Sequence, residues 1–190
     1  MFLYLFHIWM ATILAVTPKQ TKELCSQSNT SFMIGEKITY TIFYNVIGLY
    51  VNAGTAQFTV TPTKWEGDAA FAFTATGYSN RSYDWIFKVR DKYESIVDSK
   101  TLLPYFFSRN INEGSFHQYQ SLTFNQKSNE VVTQKGESFK AANCTFDVIS
   151  AVYAVRNLDF QHLEVNEKVY LNFFLDNELF PSYFKYLGKE

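Results

Sequence analysis

The side chains that could carry out catalysis are few in this sequence, and their spacing does not bring them together. Beyond the first sixteen residues there are only two histidines, His117 and His162, and both stand among polar neighbours. No histidine pair has the spacing of helical metal ligands, and there is no Cys-x-x-Cys pair. Ser150 precedes Ala151 instead of standing in a Gly-x-Ser-x-Gly elbow, which favours helix packing or a capping bond. The sequence therefore predicts no catalytic residues, no metal site and no cofactor.

Three carboxylates, Asp91, Glu94 and Asp98, are of the residue type that glycosidases and cation sites use. On a β-strand Asp91 faces opposite to Glu94 and Asp98, so the three do not converge locally. Three basic side chains lie among them: Lys88, Arg90 and Lys92. Ion pairing within a sheet explains this cluster more simply than catalysis does.

Cys25 and Cys144 are the only cysteines. In an exported protein two distant cysteines more often form a disulfide than a catalytic pair. An unstrained bridge closing a loop of this length would stabilise the fold by about 4–5 kcal/mol in the chain-entropy model. Two buried free thiols are the alternative. A reactive thiol at Cys144, near the start of a predicted helix, is a third reading that no nearby histidine supports.

The aromatic side chains are the remaining functional clue, with nineteen Phe and thirteen Tyr in the chain. In several strand-like runs both faces are apolar, so the helix, a second layer, missing strands or a ligand must cover them. Ordinary core packing is one explanation, and a groove for an acyl chain or another apolar ligand is the other. The candidate ligand-binding residues are Phe43, Tyr50, Trp85, Phe87, Phe106 and Phe173.

Length and charge narrow the class of protein. A chain of 190 residues fits one domain with a targeting segment. The formal net charge of −1 supplies no basic excess to neutralise phosphates, which argues against nucleic acid as the main partner.

The first sixteen residues, Met1 to Val16, carry no charged side chain, and a polar stretch follows them. This pattern predicts a signal peptide over residues 1–16, an N-terminal extension over 17–31 and one β-rich domain over 32–190. A buried N-terminal strand or helix is the alternative. No later stretch approaches the roughly twenty apolar residues that cross a bilayer, so no integral membrane protein is expected after signal removal.

The rest of the chain shows mainly the two-residue period of β-strands. Ile38, Tyr40, Ile42, Tyr44 and Val46 alternate with polar residues. Further strands are predicted over 56–60, ended by Pro62, and over 71–75, with a hairpin turn at residues 65–68 between them. The remaining predicted strands are 87–97, 105–111, 118–124, 130–135 and 169–175, then a last strand through residues 183 and 184 after a turn at 176–177. The order predicts a mainly β fold built on an antiparallel meander.

One segment has the helical period instead. Val148, Ala151, Val152 and Val155 repeat at helical spacing, which predicts a helix over residues 146–156 packed on the sheet. Asn143 or Thr145 could cap its start, and Asn157 stands where a helix often ends.

Several stretches together resemble one known family. They are Phe32-Met33-Ile34-Gly35-Glu36-Lys37-Ile38-Thr39-Tyr40, Tyr44-Asn45, Asn52-Ala53-Gly54-Thr55-Ala56, Val89-Arg90-Asp91-Lys92-Tyr93-Glu94-Ser95, Leu103-Pro104, Cys144-Thr145-Phe146-Asp147-Val148-Ile149-Ser150-Ala151-Val152-Tyr153 and Arg156-Asn157. Their order and spacing resemble the exported bacterial family called domain of unknown function 3108, from about Cys25 to the end of the chain.

That resemblance implies a curved antiparallel sheet, a half-barrel partly closed by a helix and similar to periplasmic lipoprotein-carrier folds. It also implies export to the periplasm of a gram-negative bacterium or to its outer envelope. It supplies no activity and no catalytic residues. Family members usually continue past a strand that resembles Gly188-Lys189-Glu190, so the chain is expected to be incomplete at its C-terminus.

Three hypotheses about function follow. The first is a non-enzymatic periplasmic protein that binds a lipid, another apolar ligand or an envelope protein on a concave aromatic sheet. The second is a structural or protein-interaction module that accepts a strand at a sheet edge. The third, a hydrolase of envelope glycans or lipids, is disfavoured by the lack of a convergent acid, base and nucleophile.

Overall fold

The computed structural model describes residues 22–46 and 48–189, which form two β-sheets and one α-helix. In chain order the strands are β1 (Lys22–Glu23), β2 (Lys37–Val46), β3 (Leu49–Trp65), β4 (Asp68–Ser79), β5 (Arg90–Asp98), β6 (Pro104–Glu113), β7 (Phe116–Asn125), β8 (Glu130–Thr133), β9 (Ser138–Lys140), β10 (Thr145–Phe146), β11 (Lys168–Leu175) and β12 (Glu178–Lys185). Helix α1 (Val148–Arg156) lies between β10 and β11. The predicted signal peptide lies outside the described residues.

The large sheet is the predicted antiparallel meander. Strands β2 to β9 pair in sequence order, and the sheet is not closed into a barrel. The predicted hairpin at residues 65–68 is confirmed, because Trp65 pairs with Asp68 across a two-residue turn. Glu66 and Gly67 both have positive φ, as this tight turn requires. The prediction of a mainly β fold with one helix packed on the sheet is confirmed.

The predicted end of the second strand at Pro62 is wrong, because β3 continues to Trp65. The N–H of Val60 donates to the carbonyl of Glu36, so this edge of β3 faces the chain that leads into β2. Pro62 lies two residues further along the same edge, beyond the last pair between Thr59 and Lys37. Its missing N–H therefore falls where β2 no longer runs, and the strand tolerates it.

The predicted strand at residues 87–97 begins later, at Arg90. The preceding segment forms a 3-10 turn at Arg81–Tyr83. The side chain of Asn80 caps this turn by accepting a hydrogen bond from the N–H of Ser82 at 3.0 Å. Residues 83–87 consequently leave the plane of the sheet, and their apolar side chains are free to form a wall beside it.

The smaller sheet was not expected from the sequence. Strand β11 pairs antiparallel with β12 along one edge, and in parallel with β1 and β10 along the other. The predicted strand at 169–175 and its turn at 176–177 are confirmed, but β1 and β10 have only two residues each. Two residues are too few for a periodic pattern, so the sequence predicts a single meander where the molecule has two sheets.

Helix α1 begins one residue after Asp147, which is its N-cap, so the predicted caps Asn143 and Thr145 are wrong. Thr145 lies in β10, and its hydroxyl donates to the carbonyl of Ala142. The C-cap is Asn157, as predicted. The buried side of the helix contains Ile149 and Tyr153, whereas Val152 is half exposed.

The core lies between α1 and one face of the large sheet, which we call the inner face. Val60, Phe73, Val97, Phe107 and Leu122 of this face are buried. The ring of Phe73 stacks on that of Tyr153 in α1 at a centroid distance of 3.9 Å. A second apolar cluster joins α1 to the smaller sheet. Other residues of the inner face, such as Ile42 and Tyr44, are exposed, so part of this face is left uncovered.

Candidate functional site

Small residues form the floor of a hollow on the uncovered part of the inner face. Ala56 pairs with Gly77 across β3 and β4, and Gly54 pairs with Ser79 one step further along. A methyl group at Gly77 would meet no atom closer than Asp91 Cβ at 4.0 Å. The sequence thus places almost no side-chain volume above the centre of the sheet, and this creates the hollow.

Large apolar side chains surround this floor. At one end, Ile42, Tyr44 and Val51 from β2 and β3 face Tyr83, Ile86 and Phe87 across a space of about 570 Å³. At the other end, a space of about 380 Å³ lies between Phe58, Tyr93 and the helix residues Val148 and Ile149. The two spaces share Gly77. We call them together the groove, and its size is in the range of small-molecule sites.

Arg109 lies at the helix end of the groove and is only 6% exposed. In β6 it is paired with Tyr93 on one side and Gln120 on the other. One terminal nitrogen of its guanidinium contacts the carboxylate of Asp176, whose side chain is 60% exposed. Among the described residues, the buried Nε atom has no hydrogen-bond partner. Burial also raises the pKa of Tyr93, and the nearby Asp91 adds to this effect.

Asp147 is a buried carboxylate close to the groove. It is the N-cap of α1, a role that the sequence analysis does not assign to it. Its Oδ1 accepts hydrogen bonds from the N–H groups of Ile149 and Ser150 at 2.8 and 2.9 Å. Its Oδ2 accepts from the hydroxyls of Ser95 in β5 and Ser150, at 2.6 and 2.8 Å. Burial raises the pKa of Asp147, although these hydrogen bonds act in the opposite direction. The residue holds the start of α1 on the sheet, and Ser150 has the capping role expected of it.

The six aromatic candidates are not brought together. Phe87 lines the groove. Phe43 and Tyr50 are exposed and, by strand alternation from Ile42, Tyr44 and Val51, point from the opposite face. Trp85 is 82% exposed, and its indole N–H donates to the carbonyl of Ser82.

Phe106 and Phe173 are the two candidates that lie in packed surroundings. Phe106 stacks on Trp65 at 5.7 Å. Phe173 stacks on Phe180 of the smaller sheet at 5.5 Å. The large sheet is therefore apolar on both sides at Phe106, whereas Phe173 belongs to the smaller sheet.

Cys25 and Cys144 are bonded to each other in the structure, with their Cα atoms 5.1 Å apart. The bridge joins the segment after β1 to the residue before β10. Leu24, next to Cys25, is buried in the apolar cluster of the smaller sheet. The N-terminal segment is therefore held by both covalent and apolar contacts.

The histidines and the carboxylate cluster lie apart from the groove or already have partners. His117 and His162 are exposed, with Nδ1 at 3.0 Å from Asn112 Oδ1 and at 2.6 Å from Asp159 Oδ2. Glu94 pairs with Lys92 at 3.1 Å. Asp98 accepts hydrogen bonds from the hydroxyl of Tyr105 and the backbone of the following turn.

Asp91 lines the groove, and one of its carboxylate oxygens accepts the N–H of Asn112 at 2.8 Å. Within residues 22–46 and 48–189, no three His, Cys, Asp or Glu side chains are grouped to hold a metal ion. Over the same ranges, no helix has the length and hydropathy needed to cross a bilayer.

These features define a class of protein: an open antiparallel sheet carrying one helix, with an apolar groove beside the helix and a buried arginine at its end. The chain belongs to the family described as "Protein of unknown function (DUF3108)", whose model matches residues 39–190. Comparison with curated proteins and with solved structures found no match.

Proposed function

We propose that this chain is an exported, non-enzymatic protein that binds one long apolar chain, such as a fatty-acyl chain, in the groove. The observation that carries the proposal is the floor of small residues around Gly54 and Gly77, walled by large apolar side chains. Each methylene group removed from water in such a site contributes about 0.8 kcal/mol.

The dimensions of the groove favour an elongated ligand over a compact one. From Arg109 in β6 to Ile42 in β2 the sheet spans four strand spacings and a few residues along the strands. With standard strand geometry this diagonal is roughly 20 Å. A single hydrocarbon chain of that length would follow this path across the small residues from one space to the other.

A polar hollow of about 660 Å³ near Asn52, Thr76 and Arg81 is a weaker candidate. Two of its basic side chains already have partners, since Arg90 pairs with Asp84 at 2.5 Å and Lys92 pairs with Glu94 at 3.1 Å. Hydrogen bonds from Ser79 and Arg90 lower the pKa of Asp84, so this ion pair persists over the ordinary pH range. Strand addition at β12 is also weaker, because Pro181 in the middle of that strand protects the edge.

Export is supported by the charge-free N-terminal stretch and by the paired cysteines, because disulfides persist in oxidising compartments. A non-enzymatic role is supported by the positions of the polar groups. Among the described residues that line the groove, Arg109, Asp91 and Glu113 carry charge, but no histidine or cysteine stands with them.

Gly77→Val should close the groove without disturbing the fold. Valine suits a strand, and the space above Gly77 accepts a side chain. Titration with the neutral fluorophore phenylnaphthylamine should show binding to the wild type that weakens at least about 10-fold in the variant, the equivalent of losing about 1.4 kcal/mol.

Thr74→Val is the matched control, because Thr74 lies on β4 but faces away from the inner face. It should bind the fluorophore as the wild type does. Equal binding by all three proteins, or no binding by the wild type, would contradict the proposed function.

A further inference from the structure

We propose that the ligand is a single-chain amphiphile with an anionic head group, a carboxylate or phosphate, and that Arg109 receives this head. The inference rests on the proposed function and adds the chemical class of the ligand and its direction in the groove. It is carried by the burial, the incomplete hydrogen bonding and the position of Arg109.

The guanidinium of Arg109 is a buried cation with unused hydrogen-bonding capacity. A guanidinium has five N–H donors, and a buried charge is costly unless they are satisfied. Among the described residues the recorded hydrogen bonds of this side chain go to Asp176 alone, and Nε has no partner. Arg109 also lines a space of about 380 Å³, and an anionic oxygen there that displaces Asp176 would accept hydrogen bonds from the terminal nitrogens of the same guanidinium.

Asp176 holds the place that a ligand carboxylate would take. It belongs to the two-residue turn between β11 and β12, in which Asp176 and Asn177 both have positive φ. The side chain of Asp176 is mostly exposed, so its carboxylate can move into water when another anion arrives. The contact between a turn carboxylate and a buried arginine is therefore exchangeable, while Arg109 itself stays fixed in the sheet.

The other charged groups of the groove set the direction of the ligand. Asp91 and Glu113 line the end next to Ile86 and Phe87. Two carboxylates there disfavour an anion at that end, whereas Arg109 favours it at the helix end. The head group accordingly lies beneath α1, and the hydrocarbon chain runs over Gly77 towards Ile42.

The test compares the binding of hexadecanoate with that of hexadecan-1-ol, the neutral alcohol of the same chain length, by isothermal titration calorimetry of the intact domain. The wild type should bind hexadecanoate more tightly. Arg109→Met should weaken hexadecanoate binding about 10- to 100-fold, the size of a lost charged hydrogen bond, and should leave binding of the alcohol unchanged. Short-chain acetate and inorganic phosphate should bind far more weakly than hexadecanoate, because they lack the chain.

Asp176→Asn provides a second variant that does not depend on the folding of the arginine variant. Asparagine accepts positive φ readily, so the turn is kept. Removing the competing carboxylate should tighten hexadecanoate binding about 2- to 10-fold without affecting the alcohol. If the ratio of the affinities for hexadecanoate and the alcohol is the same in both variants as in the wild type, Arg109 does not bind the head group. The proposal that the groove binds a hydrocarbon chain would not be contradicted by that result. Failure of the wild type to bind either ligand would overturn the proposed function itself.

Discussion

Replacing Cys25 and Cys144 together by serine is expected to lower the free energy of unfolding by about 5 kcal/mol in the chain-entropy model. The two cysteines are 119 residues apart, so their bond removes much conformational freedom from the unfolded chain. A domain of this kind has roughly 5–15 kcal/mol of stability in total, which makes the loss a large fraction of it. Urea denaturation of the wild type and the double variant measures the difference.

A reducing agent is the matched control for this variant. Reduction should destabilise the wild type by a similar amount and should leave the double variant unchanged. If the protein purified without reducing agent from its own cells has two titratable thiols, or if the double variant is as stable as the wild type, the pairing has no part in the stability of the fold. The first result would also weaken the argument for export.

Asp147→Ala is expected to destabilise the fold by roughly 3 kcal/mol. Loss of an N-cap costs about 1–2 kcal/mol, and leaving buried hydroxyls without a partner costs a similar amount. The substitution removes the acceptor for Ser95 and Ser150 and for two backbone N–H groups of α1. Because α1 covers the helix end of the groove, the variant should also bind the apolar fluorophore more weakly.

Asp147→Asn separates the cap from the charge. Asparagine caps helices as well as aspartate does, so we expect a loss below about 1 kcal/mol at neutral pH. Burial raises the folded-state pKa of Asp147 above its ordinary value of 3.8, so the folded protein retains a proton that the unfolded chain has released. That stabilisation is complete below pH 3.8 and is lost as the pH rises through the folded-state pKa.

The stability of the wild type relative to Asp147→Asn should therefore fall as the pH rises through this window. Urea denaturation of both proteins over the acidic range provides the comparison. A difference that is independent of pH would show that the environment of Asp147 does not favour its protonated form. Equal stability of the alanine and asparagine variants would show that the four hydrogen bonds to the carboxylate contribute little.

Much of the fold could be predicted because its causes are local. The alternation in β2 and the turn at Glu66 and Gly67 follow from neighbouring residues, and the structure has both. The prediction that a strand ends at Pro62 uses the same local evidence and is wrong, because the sequence does not show that the partner strand β2 ends before it reaches Pro62. It also missed β10, whose two residues are held by pairing with Asn172 and Phe173, far along the chain.

The groove could not be predicted from the sequence for a related reason. Its floor depends on Gly54 and Gly77, which are distant in sequence and are recognisable as a hollow only once β3 and β4 pair. Of the predicted aromatic ligand-binding residues, Phe87 lines the groove, whereas Phe43 and Tyr50 point from the other face of the sheet. The sequence predicts helix packing or a capping bond for Ser150 but does not pair it with Asp147, the N-cap three residues earlier.

Arg109 is the clearest example of a site residue that the sequence alone does not reveal. In the sequence it is one basic residue among seventeen, with no pattern that marks it. Its burial arises because the turn at Asp176 and Asn177 and the start of α1 lie over the middle of β6. The burial of Arg109 therefore follows from the packing of the two sheets and cannot be predicted from the periodicity of β6.

Native mass spectrometry of the protein isolated from its own cells, without detergent exchange, is the most direct test for a bound hydrocarbon chain. The wild type should carry an additional mass in the range of one single-chain lipid, and Gly77→Val, prepared in the same way, should carry none. An unliganded wild type that also fails to take up hexadecanoate added in excess would contradict the account.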